Sequence, residues 1–346
     1  MRPGRGHAGR RDRRDRRRHG AVPCARTPLH TGAARLHPRR GHRAHGSAGP
    51  GSPDGGVMTA PLLEVSGLRV TYPGRVFRAR PREVLHGVSL SVGRGEAVGL
   101  VGESGSGKTT IGRAVLGLVK PSGGSIVFDG RDVTHVSAKE RRALARDIQV
   151  VFQDPYSSLN PSLTIGDILS EPLVVQGATT SGARARVRAL LDQVGLPEDA
   201  SERLPREFSG GQRQRVAIAR ALAPEPRLIV CDEPVSALDL STQARVLDLF
   251  VDIQRRTGVA YLFISHDLTV IRHVSHRVTV LHQGEVVEAG PCGPVTSAPE
   301  HPYTRSLVLA APVADPHRQR QRREERHRLA ATESTGTAPR SQGTRR

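Results

Sequence analysis

A chain of 346 residues and 37.3 kDa has room for about two domains of ordinary size. Its net charge of +19 sits at the ends: residues 1–57 hold 14 arginines against 3 acids, residues 313–346 hold 9 against 4, and residues 58–312 keep 29 basic side chains against 26 acidic. The middle is nearly neutral, so charge gives no argument for nucleic acid there, and any pull on polyanions belongs to the ends. No apolar run approaches the ~18 residues that a membrane helix needs. Cys24, Cys231 and Cys292 lack the paired spacing of a disulfide framework or a zinc site. Nothing in 1–57 resembles the apolar stretch of a secretion signal, which makes the cytosolic side the expected compartment.

Residues 1–57, rich in Arg, Gly, Pro, His and Ala, cannot bury enough apolar surface to offset their ordering entropy. Patterned sequence begins at Met58, where we expect translation to start; the rival is a genuine basic arm. Segments 62–65, 68–72 and 84–90 read as strands, and the apolar segment 97–101 is bounded by glycines. A helix over 108–118 is ended by Lys120-Pro121 and Gly123-Gly124. A charged helix over 140–146 and a strand over 147–152 follow. Between Pro155 and Pro226 the pattern is helical, with segments 165–175, 183–194 and 212–222. Short apolar strands over 228–231, 260–264 and 277–281 then alternate with helices over 243–257 and 268–274. Such alternation indicates a parallel α/β sheet, and the helical block in its middle a second lobe. Residues 313–346 are expected not to fold.

Gly102-Glu103-Ser104-Gly105-Ser106-Gly107-Lys108-Thr109-Thr110 fits G-x-x-x-x-G-K-[ST] between an apolar strand and a helix, the context this motif needs. The glycines let successive N–H groups curl around a phosphate, and the helix start adds a favourable dipole. Lys108 would reach the β/γ-phosphates, and the Thr109 hydroxyl would ligate Mg²⁺. The plainer alternative is a Gly/Ser turn capping a helix. A second signal is Leu228-Ile229-Val230-Cys231-Asp232-Glu233, which brings carboxylates to the end of a buried parallel strand. Asp232 is placed to hold Mg²⁺ or its water, and Glu233 to activate an attacking water. Standing alone, such a pair would also be a common turn. Ser209-Gly210-Gly211-Gln212 opens an amphipathic helix and makes another anion-binding start, or an ordinary cap.

Together these residues resemble an ATP-binding-cassette ATPase over about 62–312. The phosphate loop, the signature Phe208-Ser209-Gly210-Gly211-Gln212 and the Asp232-Glu233 strand stand in the family order. Phe208 replaces the commoner leucine, which leaves the Ser–Gly–Gly contacts intact. Gln153 resembles the Q-loop that touches Mg²⁺, the attacking water and the membrane partner. Ser236-Ala237-Leu238-Asp239 resembles the D-loop, and His266 the switch histidine on the γ-phosphate. Tyr72 matches the aromatic that stacks on adenine, with packing in the sheet as its alternative. The resemblance implies a P-loop NTPase (RecA-like) α/β core, an N-terminal antiparallel β subdomain and an inserted α-helical subdomain at about 154–225.

A finer match is to the oligopeptide/dipeptide importer ATPases. It rests on 151–161 with Gln153 and Tyr156, on 207–215, and on His301-Pro302-Tyr303-Thr304-Arg305 within a C-terminal segment at 291–312. Tyr156 resembles the second of the two ATPases that such importers use. We expect His301 to pack or dock, Cys231 to fill the core, and the arginines of 141–146 and 184–188 to lie on solvated helix faces.

The resemblance implies ATP and Mg²⁺ as cofactors and a head-to-tail dimer in which Ser209 meets ATP held by the partner's phosphate loop. Glu233 would orient water while His266 and Lys108 stabilise developing charge. Implied partners are a second ATPase subunit or a copy of this chain, two integral membrane permease subunits and, indirectly, an extracytoplasmic solute-binding protein. The implied place is the cytoplasmic face of the membrane, with no specific nucleic acid. Two other readings stay open: a cassette ATPase without a transport role, separated by the proteins that co-purify, and nucleic-acid binding through the basic ends. Cargo is not written in the chain, since nickel and glutathione carriers share this ATPase type.

Overall fold

The computed structural model describes residues 60–73, 81–154, 158–311 and 320. Tyr156, residues 1–57 and all of 313–346 except Arg320 therefore lie outside the described residues, and with them the expectations attached to those positions.

The chain opens with β1 (Leu63–Tyr72) and β2 (Arg82–Val92), paired antiparallel, and continues into β3 (Ala97–Val101) and helix α1 (Lys108–Val115). A hairpin of β4 (Gly123–Phe128) and β5 (Arg131–Asp132) turns at Asp129-Gly130, both with positive φ, as a tight hairpin requires. Helix α2 (Ala138–Leu144) and strand β6 (Ile148–Val151) lead to α3 (Ile165–Val175), α4 (Thr180–Gln193) and α5 (Gly210–Leu222). The chain then runs through β7 (Leu228–Asp232), α6 (Leu240–Thr257), β8 (Ala260–Ile264), α7 (Leu268–Val274), β9 (Arg277–His282), β10 (Glu285–Pro291), α8 (Cys292–Ser297) and α9 (Pro302–Ala310).

The strands form two sheets. One has the order β2-β1-β4-β5 and is antiparallel throughout; the other runs β10-β9-β3-β8-β7-β6 and is parallel except at β10. In β3 and β8 every residue is buried, as expected of strands covered on both faces. Phe250 of α6 packs edge-on against Tyr261 and Phe263 of β8, and the Tyr261 hydroxyl donates to the Phe250 carbonyl at 3.2 Å. One apolar cluster fills the space between the two sheets and α1; the other joins the opposite face of the parallel sheet to α3, α4 and α5.

Helix α1 ends at Val115 rather than at 118, and the cause is local: Gly117 (φ +70°) turns left-handed, its N–H donating to the Ala114 carbonyl at 2.9 Å and the Leu118 N–H to the Arg113 carbonyl at 2.8 Å. Arg141 of α2 donates to the carbonyls of Val115 (3.2 Å) and Val133 (2.7 Å), and its guanidinium fills the space beside Gly117, where a Cβ would come within 2.2 Å of it. Arg186 likewise donates to the Leu222 carbonyl at 3.3 Å. These two arginines are therefore not on solvated faces: each caps the last turn of a neighbouring helix, where a cation also suits the helix dipole. Cys231 is fully buried, as expected, and burial pushes its thiol well up. Arg141→Ala should cost about 1.5–3 kcal/mol of stability through the loss of charged hydrogen bonds. Arg141→Lys should recover only part of that, because an ammonium lacks the separated, planar N–H groups with which the guanidinium reaches the Val115 and Val133 carbonyls; urea unfolding of the three proteins measures both.

Candidate functional site

The turn from β3 into α1 is pressed between neighbouring strands. A Cβ at Gly102 (φ +154°) would lie 2.1 Å from the Leu281 carbonyl oxygen, and one at Gly107 (φ +107°) 2.6 Å from Leu85 Cδ2. Only glycine lets the backbone bend here with its amides turned inward. Lys108 is buried, and its ammonium donates to the carbonyls of Gly102 (2.7 Å) and Glu103 (2.8 Å). The Ser106 hydroxyl, also buried, has no hydrogen-bond partner among the described residues. Glu103, Ser104 and Gly105 are exposed at the lip.

Strand β7 delivers Asp232 beside this loop. Thr109 Oγ1 donates to Asp232 Oδ1 at 3.1 Å. Burial raises the Asp232 carboxyl above its ordinary value, helped by neighbouring Glu233, while the Thr109 bond, Arg113 and Lys108 oppose the rise. Burial lowers the Lys108 ammonium, against the pull of Glu233, Asp232 and Glu103. Glu233 has φ +49°, a left-handed conformation that costs a residue with a side chain about 1–2 kcal/mol. It is held there by its own N–H, which donates to the Ile264 carbonyl at 3.0 Å. His266, just past β8, places Nδ1 3.0 Å from Glu233 Oε1.

A cleft of about 650 Å³ opens over these groups, lined by Tyr72, Arg82, Ser104, Lys108, Thr109 and Glu233 among others. The Tyr72 hydroxyl lies 3.4 Å from Thr110 Oγ1, so this ring stands at the rim with its face half-buried. Two cleft residues went unnoticed in the sequence. Arg113 stands one helical turn beyond Thr109, a spacing that could have revealed it; Arg82 carried no local signal. A bent run of amides with a buried ammonium and an orphaned hydroxyl fits a polyphosphate. The Thr109–Asp232 oxygen pair fits a hard divalent cation that takes its other ligands from phosphate and water. Among the described residues no group of three His, Cys, Asp or Glu could hold a metal alone.

The remaining residues singled out from the sequence stand apart. Ser209 is exposed and caps α5 through a reciprocal box with Gln212: its Oγ accepts the Gln212 N–H at 3.3 Å, and Gln212 Oε1 accepts the Ser209 N–H at 3.0 Å. A Cβ at Gly211 would come within 2.2 Å of Thr242 Cγ2 of α6, and one at Gly210 within 3.6 Å of Leu238. Asp239 caps α6, accepting from the Thr242 N–H at 3.0 Å and the Ser241 hydroxyl at 2.7 Å, which holds its carboxyl well below the usual range. Next to it, Leu240 is 83% exposed. None of Ser209, Gly210, Gly211, Gln212 or Asp239 lines the cleft. Gln153 follows β6 in the open, and among the described residues no hydrogen bond joins it to Thr109 or Asp232. His301 has the packing role expected, capping α9 by accepting the Tyr303 N–H at 3.2 Å.

A sequence profile described as ABC transporter matches residues 85–236. A putative peptide import ATP-binding protein of Brucella ovis is 51% identical over 261 residues, covering 75% of this chain and 81% of that relative. The chain belongs to the ABC transporter ATP-binding family. The glutathione import ATP-binding protein GsiA of Salmonella paratyphi A is 50% identical over 272 residues, 77% of this ABC ATPase but 44% of the longer relative. Among solved structures, cbiO1 of Clostridium perfringens, part of the ABC transporter complex cbiONQ, aligns with TM-score 0.62 and 28% identity over 69% of this chain and 91% of that one. The ATP-binding cassette MJ0796, solved as a dimer bound to ADP and Pi, aligns with TM-score 0.59 and 30% identity over 66% and 98%. The α/β fold of this ABC ATPase is thus that of a P-loop NTPase. Among its described residues no helix is long and apolar enough to cross a membrane.

Asp232→Asn separates stability from chemistry in this ABC ATPase. Because the folded chain holds the Asp232 proton more tightly than the unfolded chain, ionisation costs stability as pH rises through and above the carboxylate range. The variant should therefore raise Tm at neutral pH, by about 2–4 °C for each kcal/mol of burial cost and repulsion removed. That gain should vanish below the carboxylate range, where both side chains are neutral, and ATP hydrolysis should be lost. Calorimetry across pH, beside an ATPase assay, measures both.

Proposed function

We propose that this ABC ATPase is the ATP-hydrolysing subunit of an importer for oligopeptides, dipeptides or related solutes. In this reading it works as half of a head-to-tail ATPase pair on the cytoplasmic face of the membrane. The observation that carries the pairing is the separation of the exposed Ser209, with the half-buried Gly210 and Gln212 beside it, from the cleft of their own chain. A serine-capped helix start facing outward, with an 83% exposed leucine beside it, suits a surface completed by another ATPase subunit, either a copy of this chain or a sister. The peptide-import names of half-identical relatives support the cargo class.

ATP would lie in the cleft with Tyr72 toward the base, and the amides of 105–110 and the Lys108 ammonium on the phosphates. Thr109 and Asp232, with Gln153 brought in on closure, would hold Mg²⁺, which supplies charge neutralisation at the phosphates. Glu233, fixed by its strained backbone and by His266, is placed to orient water and take its proton. Lys108 and His266 add positive charge where negative charge develops. Ser209, Gly210, Gly211 and Gln212 would meet the nucleotide of the other subunit, with Asp239 at the seam.

Two integral membrane permease subunits would complete the importer, fed by an extracytoplasmic solute-binding protein. The helical lobe at about 154–225 would pass its motion to them. A groove of about 410 Å³ beside Gln153, where Phe152 is 39% and Leu118 62% exposed, is apolar enough to seat part of such a partner.

Glu233→Gln should cut hydrolysis at least about 100-fold and, with ATP, convert the chain into a paired species, with itself or with a co-expressed sister ATPase. Adding Ser209→Arg should abolish that pairing while single-chain ATP affinity persists. Light scattering after gel filtration reads the pairing; a monomer in every mixture overturns it. For the cargo, uptake of labelled peptide by vesicles holding the chain with its permease subunits is expected. Uptake of nickel or glutathione but not peptide would move the assignment.

A further inference from the structure

Helix α9 reaches the phosphate loop. Its start is fixed by β10, where the Glu288 carboxylate accepts the N–H groups of Glu300 and His301 at 3.0 Å each. From the first turn Tyr303 lays its ring over His282 at the end of β9, centroids 3.9 Å apart and planes tilted by 36°. Its hydroxyl oxygen accepts the N–H of Glu103 at 2.9 Å. The same peptide plane presents the Gly102 carbonyl, which accepts the Lys108 ammonium at 2.7 Å. One peptide unit of the loop is thus gripped on its donor side by Tyr303 and on its acceptor side by Lys108. At its other end α9 brings Leu307 and Ala310 against His266 and Leu268 around a cleft of about 300 Å³. A single short helix therefore touches the loop before Lys108 and the segment that carries His266.

We propose that Tyr303 is a positioning residue of the nucleotide site: its hydroxyl fixes the Gly102–Glu103 peptide plane, and through it the loop and the Lys108 ammonium, in the shape that receives a triphosphate. The inference rests on the loop being the ATP site. Among the described residues the Glu103 N–H has no other acceptor, so loss of the hydroxyl leaves that peptide to rotate and lowers the fraction of chains ready to bind. A tax on the ready fraction weakens apparent affinity and leaves the chemistry of the bound complex unchanged.

Tyr303→Phe in the full chain removes the hydroxyl and keeps the ring on His282. In the nucleotide-free protein, exchange of the Glu103 amide hydrogen should accelerate about fivefold, the worth of one ordinary hydrogen bond. Titration with MgATP should show about fivefold weaker binding, and KM should rise by the same factor with kcat within about twofold. The thermal midpoint should move by no more than about 4 °C. Unchanged amide exchange, unchanged ATP affinity, or a loss carried by kcat overturns the proposal. Absence of ATP binding by the unaltered chain would instead overturn the nucleotide reading, and the proposal with it, which keeps the two failures distinct.

Discussion

A buried ammonium is expensive unless its surroundings return what water supplied. Lys108 meets that condition with two carbonyls of its own loop and the carboxylates of Asp232 and Glu233 nearby, and much of the architecture serves this arrangement. The carbonyls converge only because Gly102 and Gly107 allow the turn. The carboxylates arrive because β7 lies one strand away from β3, across β8, with all three parallel and ending at the same edge. Asp232 in turn tolerates burial through Thr109, the residue after Lys108. The ammonium is the group that both carboxylates favour, whereas burial and Glu233 work against the charge on Asp232, so losing Lys108 would leave two crowded carboxylates with too few donors.

How much of this was legible in the sequence follows from the range of the forces involved. The phosphate loop, the Asp232-Glu233 strand end and the cap at Ser209 are local, because glycine spacing, an apolar run ending in acids and a serine before two glycines each fix their own backbone. They could be read directly and placed on the correct elements. The inserted helices and parallel strands were legible from periodicity, with ends displaced by a few residues. What escaped depends on distant chain. In the β4–β5 hairpin, β5 is only two exposed residues and β4 opens on Gly123-Gly124, which reads as a helix stop, although its Asp129-Gly130 turn was in plain view. Strand β10 is only half-buried along most of its length and so lacks an apolar signature. The arginines at 141 and 186 read as solvent-facing because their acceptors, Val115, Val133 and Leu222, are backbone carbonyls of other segments, which leave no mark on the local pattern.

The site residues divide in the same way. Lys108, Thr109, Asp232, Glu233 and His266 come together within one chain, with hydrogen bonds or charge linking them. The group from Ser209 to Gln212 with Asp239 forms a second constellation, organised by helix capping rather than by ion pairing. Spacing along the chain does not show this division, since Asp239 lies only six positions beyond Glu233; the expectation that Ser209 serves another subunit's nucleotide came from the family resemblance alone.

The flush contact of Gly211 with Thr242 has a mechanical consequence. With no side chain between them, the first turns of α5 and α6 meet like the faces of a hinge pin, and α6 is joined to Glu233 by a short turn anchored at both ends. A shift of α5 at this corner therefore presses directly on the start of α6, a few residues beyond the strand end bearing the carboxylates. Bulk added at position 211 would act as a wedge, prying the lobe from its fulcrum while leaving each half folded.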